Sequence, residues 1–194
     1  MIRSMLNALF LLALAALLTA CNAPAPTVTT ANSNHAAPAM PPPTSNVPGD
    51  LIFKTPDGWT SEPPSSAMRV AQYRLPGDTG DASLVIYYFG QGQGGAVEDN
   101  FARWVGQMQQ TRDKAKTENL TVNGMAATLL DVSGTYSGDM MNGSQTAQPN
   151  SRMRAGVIET PKGNYYIKLV GPEKTVARWD DAFLTFVKSA EFKK

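Results

Sequence analysis

The sequence predicts an α+β domain: an antiparallel sheet of about six or seven strands with helices packed on it. Three observations carry this expectation. Short β-rich stretches succeed one another across tight reversals, which favours antiparallel neighbours. Two segments instead repeat apolar residues at helical spacing. Asn123-Gly124, set between two apolar runs, is the strongest short-range hairpin signal.

The domain is expected to run from residue 50 to 194. Leu51-Ile52-Phe53-Lys54-Thr55 reads as a short opening strand, stopped by Pro56-Asp57-Gly58, with Trp59 following. From Met68 to Arg74 apolar and polar residues alternate as in a half-buried strand. A turn follows through Leu75-Pro76-Gly77-Asp78-Thr79-Gly80-Asp81. Ser83 to Phe89 is almost continuously β-rich (Leu84, Val85, Ile86, Tyr87, Tyr88), the pattern of a central strand covered on both faces.

Val97, Phe101, Trp104, Val105 and Met108 then mark one apolar face of a helix. Glu98 and Asp99 in its first turn complement the helix dipole. Leu120-Thr121-Val122 and Met125 to Val132 flank Asn123-Gly124 as a hairpin. Tyr136 to Arg152 is polar and Gly-rich and reads as a long mobile loop. Arg154 to Thr160 and Asn164 to Val170 form a second hairpin across Pro161-Lys162-Gly163. A last helix starts at Pro172, burying Val176, Trp179, Phe183, Phe186, Val187 and Ala190.

The opening strand with Pro56-Asp57-Gly58-Trp59 resembles the start of PsbP-like domains. The alternation of strand meander, helix, strand meander and terminal helix is similar too. Tyr87-Tyr88-Phe89-Gly90-Gln91-Gly92-Gln93-Gly94-Gly95, Asn100 to Gln107, and the ending from Gly171 to Phe192 look like segments of bacterial lipoproteins with that fold. The resemblance covers nearly all of the domain but is one of pattern. It implies a PsbP-like sandwich acting as a binding or assembly module, and it transfers no functional residue, because a fold does not name a function.

The amino-terminal segment carries the most specific chemistry. Arg3 and the amino terminus give a positive start, Met5 to Leu18 is apolar apart from Asn7, and small residues precede Cys21. These are the three parts of a secretory signal, residues 1–20. The apolar run falls short of the roughly 20 residues that span a bilayer. Leu18-Thr19-Ala20-Cys21 resembles the bacterial lipobox, which implies diacylglyceryl transfer to the Cys21 sulfur and cleavage before it. The membrane is then the partner reached through that lipid. Asn22, where an Asp would favour inner-membrane retention, leans toward the outer membrane. The expected location is therefore the cell envelope, on the periplasmic face of the outer membrane.

Residues 21–49 read as the lipidated cysteine followed by a disordered tether. From Asn22 to Gly49 there is no Asp, Glu, Lys or Arg, and half of the chain's 14 prolines fall here. Such a segment buries too little apolar surface to fold. The only histidine, His35, sits in it as a solvated linker residue.

Composition narrows the partners. Lys+Arg number 17 against 16 Asp+Glu, and losing Arg3 with the leader leaves 16 against 16. That balance argues against nucleic acid, which calls for clustered basic charge. A single cysteine permits no internal disulfide.

Catalytic and cofactor signals are correspondingly thin, and the expectation is a non-enzyme with no cofactor and no metal. The glycine run Gly90 to Gly95 lies between strand and helix, where phosphate loops sit. Ala96-Val97-Glu98-Asp99 follows it, however, in place of Lys and Ser/Thr, so a flexible turn is expected. Asp78 and Asp81 bracket a Gly turn without a calcium-loop pattern. Met140-Met141 with Met153 offers soft thioethers for Cu(I), but reads as incidental. The domain has no histidine base for a nucleophile. Glu98/Asp99 and Asp180/Asp181 are neighbours on helices and read as solvated faces. Trp59, Trp104 and Trp179 read as core aromatics.

The functional expectation is a lipid-anchored envelope module that binds a protein or small ligand at its sheet or loop surface, with 90–95 and Tyr136 to Arg152 as the loops to inspect. The alternatives are an envelope hydrolase whose distant carboxylates converge, favoured by a deep acidic cleft, and a purely structural spacer.

Overall fold

The computed structural model describes residues 50–138 and 146–192, with the backbone of Ser45–Asn46. The strands in chain order are β1 (Ser45–Asn46), β2 (Leu51–Phe53), β3 (Thr60–Glu62), β4 (Arg69–Leu75), β5 (Ala82–Tyr88), β6 (Lys116–Val122), β7 (Met125–Tyr136), β8 (Gln148–Ile158), β9 (Tyr165–Pro172) and β10 (Glu191–Phe192). Helix α1 (Val97–Gln107) lies between β5 and β6, and α2 (Glu173–Arg178) and α3 (Asp180–Lys188) follow β9. Seven strands form one antiparallel sheet in the order β3-β4-β5-β9-β8-β7-β6, and β1, β2 and β10 form a small second sheet. The α+β class is as the sequence predicts.

Both faces of the large sheet are covered. Phe101, Trp104 and Val105 of α1, with Met108 just after it, pack on one face against Leu130, Val132, Met153, Ala155, Val157 and Tyr166. On the other face Val176, Phe183, Phe186 and Val187 of α2 and α3 pack with Leu84, Ile86, Leu129, Ile167 and Leu169. Leu51 and Phe53 join this second core, where Phe53 stacks on Phe186 with ring centroids 4.7 Å apart. Covering both faces explains why β5, β8 and β9 are nearly continuous in buried residues rather than alternating.

The structure departs from the sequence expectation at five places. Leu51–Phe53 pairs with β10 and β1, outside the large sheet, whose edge is β3 instead. Ser45–Asn46, read as tether, pairs with β2 because a short apolar strand leaves backbone groups open to any adjacent chain. The hairpin strands β6 and β7 are longer than the apolar runs that signalled them, and the added residues 116–119 are exposed. The expected loop from Tyr136 to Arg152 is shorter: β7 reaches Tyr136 and β8 begins at Gln148, so Arg152 is a strand residue.

The last helix is two helices, broken at Trp179 (φ −98°, ψ 8°). Its indole Nε1 donates to the Pro76 carbonyl oxygen at 2.9 Å, anchoring the break to the β4–β5 turn. Residues 1–20, Cys21, His35 and Met140-Met141 lie outside the described residues.

Candidate binding surface

The glycine run between β5 and α1 has its backbone already engaged. Tyr166 on β9 donates its hydroxyl to the Gly95 carbonyl at 2.8 Å. Asn100 of α1 donates to the Gly94 and Ala96 carbonyls at 2.8 and 2.9 Å. A Cβ on Gly94, whose φ is +90°, would stand 2.5 Å from the Tyr166 ring, so glycine is required there. Gln91 reaches the Pro161 carbonyl at 3.2 Å. The run is a strap that ties β5 and α1 to the β8–β9 turn. Phe89 at its start is, with Met68, one of two large apolar residues left exposed among the described residues.

A charged cluster on the α3 side of the sheet has a different character. Asp131 on β7 faces Arg154 on β8 in register, and Lys116 on β6 faces Asp131. Strand periodicity puts Arg152 on the same face, two residues before Arg154. Arg152 donates to both Asp131 oxygens, Nε to Oδ1 at 2.8 Å and Nη2 to Oδ2 at 2.7 Å, and Nη2 also reaches Asp180 Oδ2 at 3.1 Å. Asp180 opens α3, where the helix dipole favours a carboxylate.

Arg154 is the anomaly. The residue is only 7% exposed, yet its buried Nε has no aligned hydrogen-bond partner among the described residues. Its Nε lies 2.7 Å from Asp180 Oδ1 and its Nη1 lies 3.5 Å from Asp131 Oδ2, both as ion contacts only. The guanidinium sits over the Phe183 ring at 5.6 Å. Arginine carries five N–H donors in a fixed fork, so most of this capacity is unused. Leaving buried donors unbonded is costly unless something else meets them.

Arg154 lines a hollow of about 290 Å³ with Lys116, Thr117, Glu118, Leu129 and Asp131. The hollow exists because β6 is the sheet's outer strand and its residues 116–119 stand exposed beyond the helices. No ion pair involves Lys116 or Glu118 among the described residues. Its walls therefore hold two cations and two carboxylates. Burial works to raise the Asp131 carboxyl, but the Arg152 hydrogen bonds, with Arg154 and Lys116 nearby, hold it below the ordinary carboxylate range. The same bonds hold Arg152 firmly charged.

Few of these residues were singled out in the sequence. Lys116, Glu118, Asp131 and Arg154 belong to no sequence motif, and the polar, Gly-rich composition around Arg152 points to a loop. A signal was present: Arg152 and Arg154 alternate with Met153 and Ala155, which places two arginines on one face of a buried strand. Asp180 is also not the solvated neighbour of Asp181 that was expected, since it turns inward to both arginines while Asp181 stays exposed. Glu98 and Asp99 are exposed, and Glu98 pairs with Arg112 at 2.7 Å. Asp81 accepts from the Gly77 amide at 3.2 Å and from Arg74 at 3.0 Å, as a turn residue does. Trp59 and Trp104 are core residues, while Trp179 is half-buried at the helix break. Among the described residues, the hollow is lined by none of 90–95, 136–138 or 146–152.

The structure thus defines an α+β domain with both faces of one antiparallel sheet covered and a mixed-charge hollow at the sheet's open edge. Solved structures similar to this chain include CyanoP, the PsbP of the cyanobacterium Synechocystis, at 16% identity and TM-score 0.46, over 74% of this chain and 87% of that one. LpqN, described as involved in cell envelope biogenesis of Mycobacterium tuberculosis, is similar at 14% identity and TM-score 0.47, over 74% and 83%. A Pseudomonas aeruginosa protein of unknown function is similar at 18% identity and TM-score 0.43, over 63% and 82%. No family model matches the chain, and no curated protein matches it.

Proposed function

We propose that this protein is a lipid-anchored, non-enzymatic binding module of the bacterial cell envelope, and that its ligand enters the hollow over β6, β7 and β8. The observation that carries the reading is Arg154: a largely buried arginine on the wall of an open cavity, held by ion contacts to Asp180 and Asp131 without an aligned hydrogen bond. Lipid on Cys21, after removal of residues 1–20, anchors the chain to the periplasmic face of the outer membrane. The charge-free segment before Ser45 then sets the domain's reach.

The carboxylates favour binding over catalysis. Asp131 and Asp180 come from distant parts of the chain and converge on Arg152, the arrangement a carboxylate hydrolase would need. A general acid at neutral pH requires a raised pKa, however, and Asp131 is shifted the other way.

A photo-crosslinking residue at Thr117 in cells expressing the full chain tests the reading, with the same residue at exposed Ala102 on α1 as control. A specific adduct at 117, identified by mass spectrometry and absent at 102, is expected. Equal labelling at both positions, or none at 117, contradicts it.

A further inference from the structure

The geometry points to a small zwitterion, of the α-amino acid or short-peptide class, as the ligand of this hollow; the inference rests on the binding reading above. The charges that line the cavity are balanced in number but unequal in use. Asp131 is engaged on both oxygens by Arg152. Arg154, which meets Asp180 and Asp131 by ion contacts alone, and Lys116 and Glu118 are the groups with capacity left.

Their placement follows from the register. Lys116, Asp131 and Arg154 lie in one row across three strands, with the two cations either side of the neutralised Asp131. Glu118 lies on the same face of β6 as Lys116, two residues along, about 7 Å away. The next row is Glu118, Leu129 and Gly156, so the carboxylate rim backs onto apolar surface and a glycine.

A simple anion can meet Arg154 and Lys116 but is repelled by Glu118. A simple cation meets Glu118 and is repelled by the other two. A ligand with a carboxylate toward Arg154 and Lys116 and an ammonium toward Glu118 satisfies all three groups. Planar carboxylate is the natural partner of a guanidinium fork. The cavity of about 290 Å³ sits at the small end of ligand sites. Leu129 gives a short apolar side chain or methylene something to touch.

Calorimetric titration of the detergent-solubilised full chain with alanine, dialanine, acetate and ethylammonium tests this at low ionic strength. Alanine or dialanine should bind at least tenfold more tightly than acetate or ethylammonium. Dialanine alone would identify a peptide terminus as the source, and comparable alanine binding a free amino acid. Lys116→Met and Glu118→Gln alter exposed side chains and leave the core intact. The first should weaken binding at least tenfold, and the second should reduce alanine to the level of acetate. Acetate binding as tightly as either zwitterion, no binding by any probe at millimolar concentration, or wild-type affinity in both variants overturns the inference. If no zwitterion binds while position 117 still yields its specific adduct, the ligand class is wrong and the binding reading stands. Loss of both signals removes both.

Discussion

Arg152 grips Asp131 through two parallel hydrogen bonds of 2.8 and 2.7 Å. That grip leaves Arg154, its neighbour on the same face of β8, with ion contacts alone. Two arginines on one strand face thus have different duties, one structural and one available. Asp131→Asn keeps the shape and removes the charge that both guanidiniums face. Because Arg152 and Arg154 are largely buried, the variant should lose about 3 kcal/mol of stability. Urea unfolding followed by tryptophan fluorescence measures it. Glu118→Gln at the exposed rim should change stability by less than about 0.5 kcal/mol.

Asp131 also sets an acid limit. Its folded pKa lies below its unfolded value, so in the acid range the folded state binds fewer protons than the unfolded state. Its stabilising contribution is complete above the ordinary carboxyl range near pH 4 and is lost as the pH drops through the folded value. The urea midpoint should fall between about pH 5 and pH 2, and less steeply in Asp131→Asn. Asp81 and Glu98 shift in the same direction but lie at the surface, where water screens them. An identical slope in the variant would contradict the assignment.

On the alkaline side, burial pushes the Tyr165 phenol up to about 12, with Tyr88 stacked against it at 4.7 Å. The folded pKa is the higher one, so stability is unaffected below about pH 10 and declines from there toward pH 12. Tyrosine absorbance during an alkaline titration should show one phenol ionising only as the tryptophan signal reports unfolding.

The glycine strap predicts an ordered loop. Gly94→Ala forces a Cβ toward the Tyr166 ring at a φ of +90° and should cost about 1–3 kcal/mol. Tyr166→Phe removes the bond to Gly95 and should cost about 1 kcal/mol. In both variants amide exchange should accelerate at residues 90–96, with the amides of β6 unchanged.

Anchoring has its own test. Cys21→Ser should release the protein from membranes or leave its leader uncleaved. Continued incorporation of labelled fatty acid into the variant would refute lipidation at that sulfur.

The fold was readable where one physical signal dominated. The helical spacing of Phe101, Trp104, Val105 and Met108 and the turn at Asn123-Gly124 located α1 and the β6–β7 hairpin. Element ends were less readable, because β6 runs through Lys116–Asn119, whose polar residues are exposed and give no burial pattern. Thr60–Glu62 is short and polar, and only its pairing with Thr60↔Arg74 register makes it a strand. The hollow was hidden for another reason. Its charged residues are single positions on three strands, and only the pairing register brings Lys116, Asp131 and Arg154 into one row. The break at Trp179 depends on a hydrogen bond to Pro76, about a hundred residues earlier, which helical periodicity does not encode.

The most direct measurement is a nitrogen-detected NMR titration of the arginine side chains in the full chain with alanine or dialanine. Arg152 hydrogen-bonds Asp131 and Asp180 through Nε and Nη2, whereas Arg154 meets Asp180 and Asp131 by ion contacts without an aligned hydrogen bond. The Arg154 Nε signal should move and saturate on addition of the zwitterion, while Arg152 stays within its starting linewidth. Equal movement of both signals, or of neither, would contradict a ligand site at Arg154.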